Sequence, residues 1–210
     1  MDDDPPGQRR RGRPRQDELA ARRSAMLDAA AAILVENGYQ DFTVSAVAAR
    51  AGTSKSTVYS WFDNRDGLLR AVIERNYDNG VSPLHADLLD EADPRTVLIA
   101  VAEQLVPVLQ SELSLALSRA AMSDPTLRPT LLAGGGDRGR PALAAYMARA
   151  AAAGHLNLDD PLVGAKIFYG LLMQDDQIRT LLGDSPMDRE TVAARARFAT
   201  DAFLKLYGSD

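Results

Sequence analysis

The chain has 210 residues, 46% of them hydrophobic, with no cysteine and a formal net charge of −5, enough for one large domain or two modest ones with a buried core. The lack of cysteine excludes disulfides and thiolate metal sites and suits a reducing, cytoplasmic setting, nucleoid-associated if the partner is DNA. The start, MDDDPPGQRRRGRPRQ, has no apolar h-region and reads as no secretory signal, and no run approaches the roughly 18 apolar residues of a membrane span.

The charge is uneven along the chain. Residues 9–70 carry eleven Lys/Arg against seven Asp/Glu, whereas residues 81–210 carry twelve against seventeen. An acidic body with a basic end suits a protein that turns one face to phosphates and repels them elsewhere.

Period-two alternation is absent and apolar residues recur every three to four positions, so the expected fold is all-α. Residues 1–16 form a polar tail holding Arg9, Arg10, Arg11, Arg13 and Arg15. Its core, Arg11-Gly12-Arg13-Pro14, resembles an AT-hook that inserts into narrow minor grooves, and equally fits a solvated basic arm. A first helix is predicted from about Asp17 to Asn37, burying Met26, Ala30, Ile33 and Leu34, with Gly38 as its stop. Thr43 N-caps a second helix reaching Arg50 or Ala51. After a Gly52-Thr53 turn, Ser54 caps a short third helix, Lys55 to Phe62. Asn64 caps a fourth, with Leu68, Leu69, Val72 and Ile73 on one side. Beyond Gly80 the punctuation delimits helices at about 94–110, 112–122, 126–133, 138–153, 161–182 and 187–207, an antiparallel bundle. The expected division is a tail over 1–16, a DNA-binding domain over 17–78 and a ligand-binding and dimerisation domain over 79–210.

Residues 43–62, TVSAVAARAGTSKSTVYSWF, carry the spacing of a helix-turn-helix. Counting Val44 as the first position, Ala48 is fifth, Gly52 ninth and Val58 fifteenth. The fifth must be small where two helices meet, the ninth favours glycine at a positive φ, and the fifteenth must be apolar. The third helix then suits the major groove, with Lys55, Ser56, Thr57 and Ser60 outward; the same hydroxyls also describe a plain solvated face. Thr43 and Ser45 sit at a helix amino end, where free N–H groups favour a phosphate, and Thr53 and Ser54 lie on the turn beside them. Arg65, at the amino end of the fourth helix, is expected to clamp the far strand.

The surroundings of the motif resemble the tetracycline-repressor (TetR) family. The matching residues are MLDAAAAILVENGY, Phe42-Thr43-Val44, Ala48, AGTSKSTVYSWF and Asn64-Arg65-Asp66 with Leu68-Leu69. Thr53, Ser56, Trp61 and Arg65 stand where members usually have valine, glycine, histidine and lysine. Residues 113–207 are similar to the AefR-like class of C-terminal domains. The resemblance implies that the hydroxyls of Tyr59 and Thr57 reach phosphates, and that a homodimer binds a palindromic operator.

The resemblance also implies a small-molecule effector pocket in the C-terminal bundle. Its candidate lining is Tyr77, Leu105, Val108, Leu117, Met122, Tyr146, Met147, Phe168, Tyr169, Leu172 and Met173, which suggests an apolar or aromatic effector. The last two helices carry apolar residues on more than one side, Val163, Ile167, Leu171 and Ile178, then Val192, Phe198 and Phe203, a surplus that fits a dimer seam. His155 with Asp159 and Asp160 could hold a cation, although Asp159-Asp160-Pro161 reads better as a helix cap; His85 lies in a linker. Asp175 and Asp176 read as a solvated or interface face. No nucleophile–base pair appears, so no enzyme, metal or cofactor is expected. The overall expectation is a repressor released by its effector, the alternatives being an activator of the same family or a helix-turn-helix adaptor for protein partners.

Overall fold

The computed structural model describes residues 16–80 and 93–209. Arg11, Arg13 and the rest of the tail, together with His85, lie outside them. Among the described residues the chain is helical apart from one isolated bridge, Leu156 with Gly208. The helices are α1 (Gln16–Glu36), α2 (Val44–Arg50), α3 (Lys55–Phe62), α4 (Arg65–Gly80), α5 (Pro94–Leu109), α6 (Glu112–Ser123), α7 (Arg128–Gly134), α8 (Gly136–Ala152), α9 (Pro161–Met173), α10 (Asp176–Leu182) and α11 (Arg189–Tyr207), with a 3₁₀ turn at Pro125–Leu127. None is both long and apolar enough to cross a membrane alone.

The helix ends are set by local chemistry. Thr43 Oγ1 accepts the N–H of Ala46 at 3.1 Å, Ser54 Oγ that of Thr57 at 3.1 Å and Asn64 Oδ1 that of Gly67 at 2.8 Å, each satisfying an orphan donor of a first turn. Gly52 has φ +61°, the left-handed conformation that the turn between α2 and α3 requires. Ala48 and Val58, the other two positions of the motif, are buried.

Two hydrophobic cores result. The first joins α1 to α4 through Met26, Leu34, Phe42, Val58, Leu68 and their neighbours, and it also takes in Leu117 and Ala121 of α6 and Leu127. Packing therefore does not stop at the boundary expected near residue 78. Helix α1 lies on α6, and α4 on α7. Gly134 permits the latter approach, since a Cβ there would stand 2.4 Å from Ile73 Cγ2. The second core is built by α5, α8, α9 and α11 around Val97, Met147, Phe168, Ala196 and Phe203.

The single helix expected over 161–182 is two helices. Gln174 takes φ +44° and separates α9 from α10. Arg195 of α11 explains the break: its Nη1 donates to Leu172 O at 3.1 Å and pairs with Asp176 at 2.5 Å, so a tertiary partner serves groups at the junction. Asp176 is thus half-buried in an ion pair, while Asp175 is exposed. Val192 and Phe203, expected at a dimer seam, are instead buried in the second core, and Ile167 and Leu171 pack against it. A helix that contributes a stripe to its own bundle cannot offer that stripe to a partner. Val163, Ile178 and Phe198 are exposed.

Candidate nucleic-acid interface and ligand cavity

Helix α3 is held by two anchors. Val58 and Phe62 are buried, Thr57 and Trp61 are partly buried, and Lys55, Ser56, Tyr59 and Ser60 are exposed, Tyr59 by 50%. The rod thus offers one face to solvent along its length. Several hydroxyls on it already have partners. Ser54 Oγ lies 2.8 Å from both Ser56 Oγ and Thr57 Oγ1, and Ser60 Oγ donates to Thr57 O at 2.7 Å. Such bonds fix the hydroxyls in place and leave oxygen lone pairs, so Thr57 is less available to a phosphate than Tyr59, whose ring stands clear. Ser45 is exposed at the amino end of α2, next to the capping Thr43; Thr53 is partly buried in the turn.

Arg65 has a different occupation from the phosphate clamp expected of it. Its Nε donates to Phe42 O at 2.7 Å and its Nη2 to Tyr39 O at 2.6 Å. The guanidinium also lies 4.0 Å from the Tyr39 ring centroid. A planar fork with several donors can serve two carbonyls and a ring at once, so this arginine ties α4 to the loop between α1 and α2. The residue type at a helix amino end gave no sign of this, because the partners are backbone atoms more than 20 residues away. A second tie was also missed: Arg50 Nη1 and Nη2 meet the Glu36 carboxylate at 2.6 and 2.7 Å. That bidentate bond holds Glu36 below the usual carboxylate range and links the carboxyl ends of α1 and α2.

In the other half, α4 to α10 surround a partly open cavity of about 250 Å³. Tyr77, Leu105, Val108, Leu117, Phe168 and Tyr169 line it, as the resemblance implies, joined by Ile73, Asn76, Ser118, Arg140, Leu143 and Gln177. Among the described residues, none that lines it is Asp, Glu, His or Cys. Burial pushes the phenols of Tyr77 and Tyr169 above their ordinary range, so both are neutral at physiological pH; the Tyr169 hydroxyl donates to Gln177 Oε1.

Five residues expected in the lining lie elsewhere. Met122 is 64% exposed, on the side of α6 opposite Leu117. Tyr146 and Met147 sit a turn beyond Leu143 on α8, and Leu172 and Met173 a turn beyond Phe168 on α9, all within the second core. Apolar type alone did not separate wall from core. Gly135, Gly136 and Gly139 also line the cavity, where α7 meets α8; no apolar periodicity marks them in the sequence. Asp160 Oδ1 accepts the N–H groups of Leu162 and Val163 at 2.8 and 3.2 Å, which is the cap reading of that acidic pair.

Residues 96–209 match the family model described as "AefR-like transcriptional repressor, C-terminal domain", and residues 26–72 match "Bacterial regulatory proteins, tetR family". The chain belongs to the TetR family. A crystal structure of a TetR transcriptional regulator from Agrobacterium tumefaciens is 34% identical, with a TM-score of 0.76 over 90% of this chain and 95% of that one. The TetR repressor of Mycobacteroides abscessus is 29% identical over 145 residues, 66% of this chain and 72% of the relative. The transcriptional activator FasR of Mycolicibacterium smegmatis is 35% identical over 106 residues, half of this chain and 47% of FasR. The fatty acid metabolism regulator of Bacillus subtilis is likewise matched over 47% of its length, at 26% identity. The chain therefore spans about half the length of these last two relatives. TetR-family proteins are DNA-binding transcriptional regulators that act as dimers with small-molecule effectors, and this TetR-family regulator presents both a helix-turn-helix and a largely apolar cavity.

Proposed function

We propose that a homodimer of this chain represses from a palindromic operator and is released when a small apolar or aromatic molecule enters the cavity. The observation that carries the proposal is the seating of α3: two apolar anchors inward, an uninterrupted polar face outward. In a dimer, two such rods one helical turn apart meet successive major grooves. Lys55 is the base-reading candidate; Tyr59, Ser45 and the capped amino end of α2 position the backbone.

Helix α4 supplies the coupling. Its first half packs Leu68, Leu69 and Val72 into the core that seats α3, and its second half places Ile73, Asn76 and Tyr77 in the cavity wall. A ligand that needs Tyr77 displaced selects an α4 position in which the two recognition helices no longer match the DNA repeat. The division of labour follows: residues before about 78 read DNA and those after it bind ligand and dimerise, with Ile73, Asn76 and Tyr77 serving both. The likeness to an activator, FasR, supports activation as the second reading, and a reporter driven by the bound promoter separates the two by the sign of its response.

The direct test is fluorescence anisotropy of the chain against DNA from its own upstream intergenic region. Tyr59→Phe is expected to weaken binding by about 1.5–3 kcal/mol, the loss of one hydrogen bond to a charged partner, without changing the melting temperature. Unchanged affinity across salt concentrations removes Tyr59 from the interface. Deleting residues 1–15 is expected to flatten the dependence of affinity on salt by several phosphate contacts; a loss of A·T preference in the flanks would single out the hook over the solvated arm.

A further inference from the structure

The cavity is apolar with one exception in charge, Arg140. Other arginines on the helices that form the cavity are committed. Arg138 pairs with Asp78 at 2.9 Å, Arg75 with Asp28 at 2.8 Å and Arg179 with Asp184 at 2.7 Å, while Arg119 donates to the carbonyls of Thr180 and Leu181. Arg140 has no such partner among the described residues. It is partly buried, its guanidinium carbon 6.0 Å from the Tyr169 ring centroid. The head lies against Gly136, where a Cβ would come within 2.8 Å of Nη2. Gly136 and Tyr169 both line the cavity, so the charge sits in its wall.

A guanidinium is always charged and carries a fork matched to a carboxylate. A purely apolar molecule filling the cavity would strip water from that head and offer nothing in return, and a neutral acceptor would return only uncharged bonds. A carboxylate would replace the water with paired, charge-assisted bonds in a poorly solvated site. Among the described residues, no acidic side chain in the lining competes for the cation or repels the anion.

We infer that the effector is a monocarboxylate with a compact apolar body, its carboxylate paired with Arg140 and its body among Leu105, Val108, Leu117 and Phe168. The inference rests on the cavity being the effector site. Its volume, about 250 Å³, accommodates a body such as a short alkyl chain or a small fused ring system. Tyr77 and Ser118, also in the lining, can take a further polar substituent but carry no charge.

The test is calorimetric titration of the full chain with two matched pairs, octanoate against octanamide and 2-naphthoate against 2-naphthamide. The acid of at least one pair is expected to bind tenfold or more tightly than its amide, and the pair showing the larger ratio identifies the body as aliphatic or aromatic. Arg140→Gln is expected to bring acid and amide within about twofold while leaving the amide at its parental affinity, which also reports an intact fold. Arg140→Lys, a charge without the fork, is expected to fall between. Equal binding of acid and amide by the parent, or a preference that survives Arg140→Gln, overturns the inference and leaves the cavity as effector site standing. If neither pair binds while operator binding is intact, the inference fails together with the effector half of the proposed function.

Discussion

Arg65→Ala is expected to lower the melting temperature by about 6–12 °C, a loss of roughly 3 kcal/mol for a chain of this size. The magnitude follows from what the side chain holds. Two bonds from a cationic donor to backbone carbonyls are each worth about 1.5–3 kcal/mol, and the ring contact adds about 0.5–1 kcal/mol; partial solvent access brings the sum toward the lower end. The Phe42 carbonyl loses its donor, the Tyr39 carbonyl keeps only the N–H of Phe42 at 3.2 Å, and the loop that carries Phe42 into the first core loses its tie to α4. Trp61, the one tryptophan of the chain, packs against that core, so its fluorescence reports the transition. Arg65→Lys retains the charge but not the fork and is expected to recover less than half of the loss. A phosphate clamp behaves oppositely: its removal leaves the melting temperature alone and reduces the salt slope of operator binding by about one contact. A thermal melt beside a salt titration of the variant decides between them.

The contrast between Arg65 and Val58 shows what was legible in the residues and why. Val58, Ala48 and Gly52 answer to constraints that act within about 15 positions: a sharp turn, a close helix crossing and a seat in the core. Caps such as Thr43, Ser54 and Asn64 are more local still, and each helix of the DNA-binding half begins within a residue of where its cap predicts. Arg65 depends on carbonyls brought near by the packing of α1, α2 and α4, which no spacing encodes. The cavity lies between these extremes. Leu105, Val108 and Phe168 were foreseen because an apolar wall and an apolar core draw on the same residue types, and Met147 and Leu172 were misplaced for the same reason. Only the packing of α5 and α9 decides which turn of a helix faces empty space. The break at Gln174 likewise follows from Arg195, which is distant in sequence and reaches back to Leu172 and Asp176.

The exposed faces of α9 and α11 lead to the second large effect. These helices pack on each other and leave Leu162, Val163 and Phe198 in solvent, with Ile178 and Leu182 exposed on the adjoining α10; Phe198 is 54% exposed and Leu182 81%. Gly170, on the exposed side of α9, has open space where a side chain would stand, which lets another helix come close. Such a collection of apolar side chains marks an association surface, and in a two-fold dimer each substitution acts twice. Phe198→Glu is therefore expected to place two carboxylates in a desolvated seam, at about 3 kcal/mol each, weakening dimerisation by roughly four orders of magnitude. Light scattering should show a monomer at micromolar concentration with the helical signal of the parent, and operator binding should fall to that of a single half-site. Phe203→Ala makes the control, because Phe203 is buried in the second core: it should lower the melting temperature first and affect association only through the fold. A Phe198→Glu chain that remains dimeric with parental operator affinity would move the seam away from α9 and α11, and with it the spacing of the two recognition helices on which operator binding is argued.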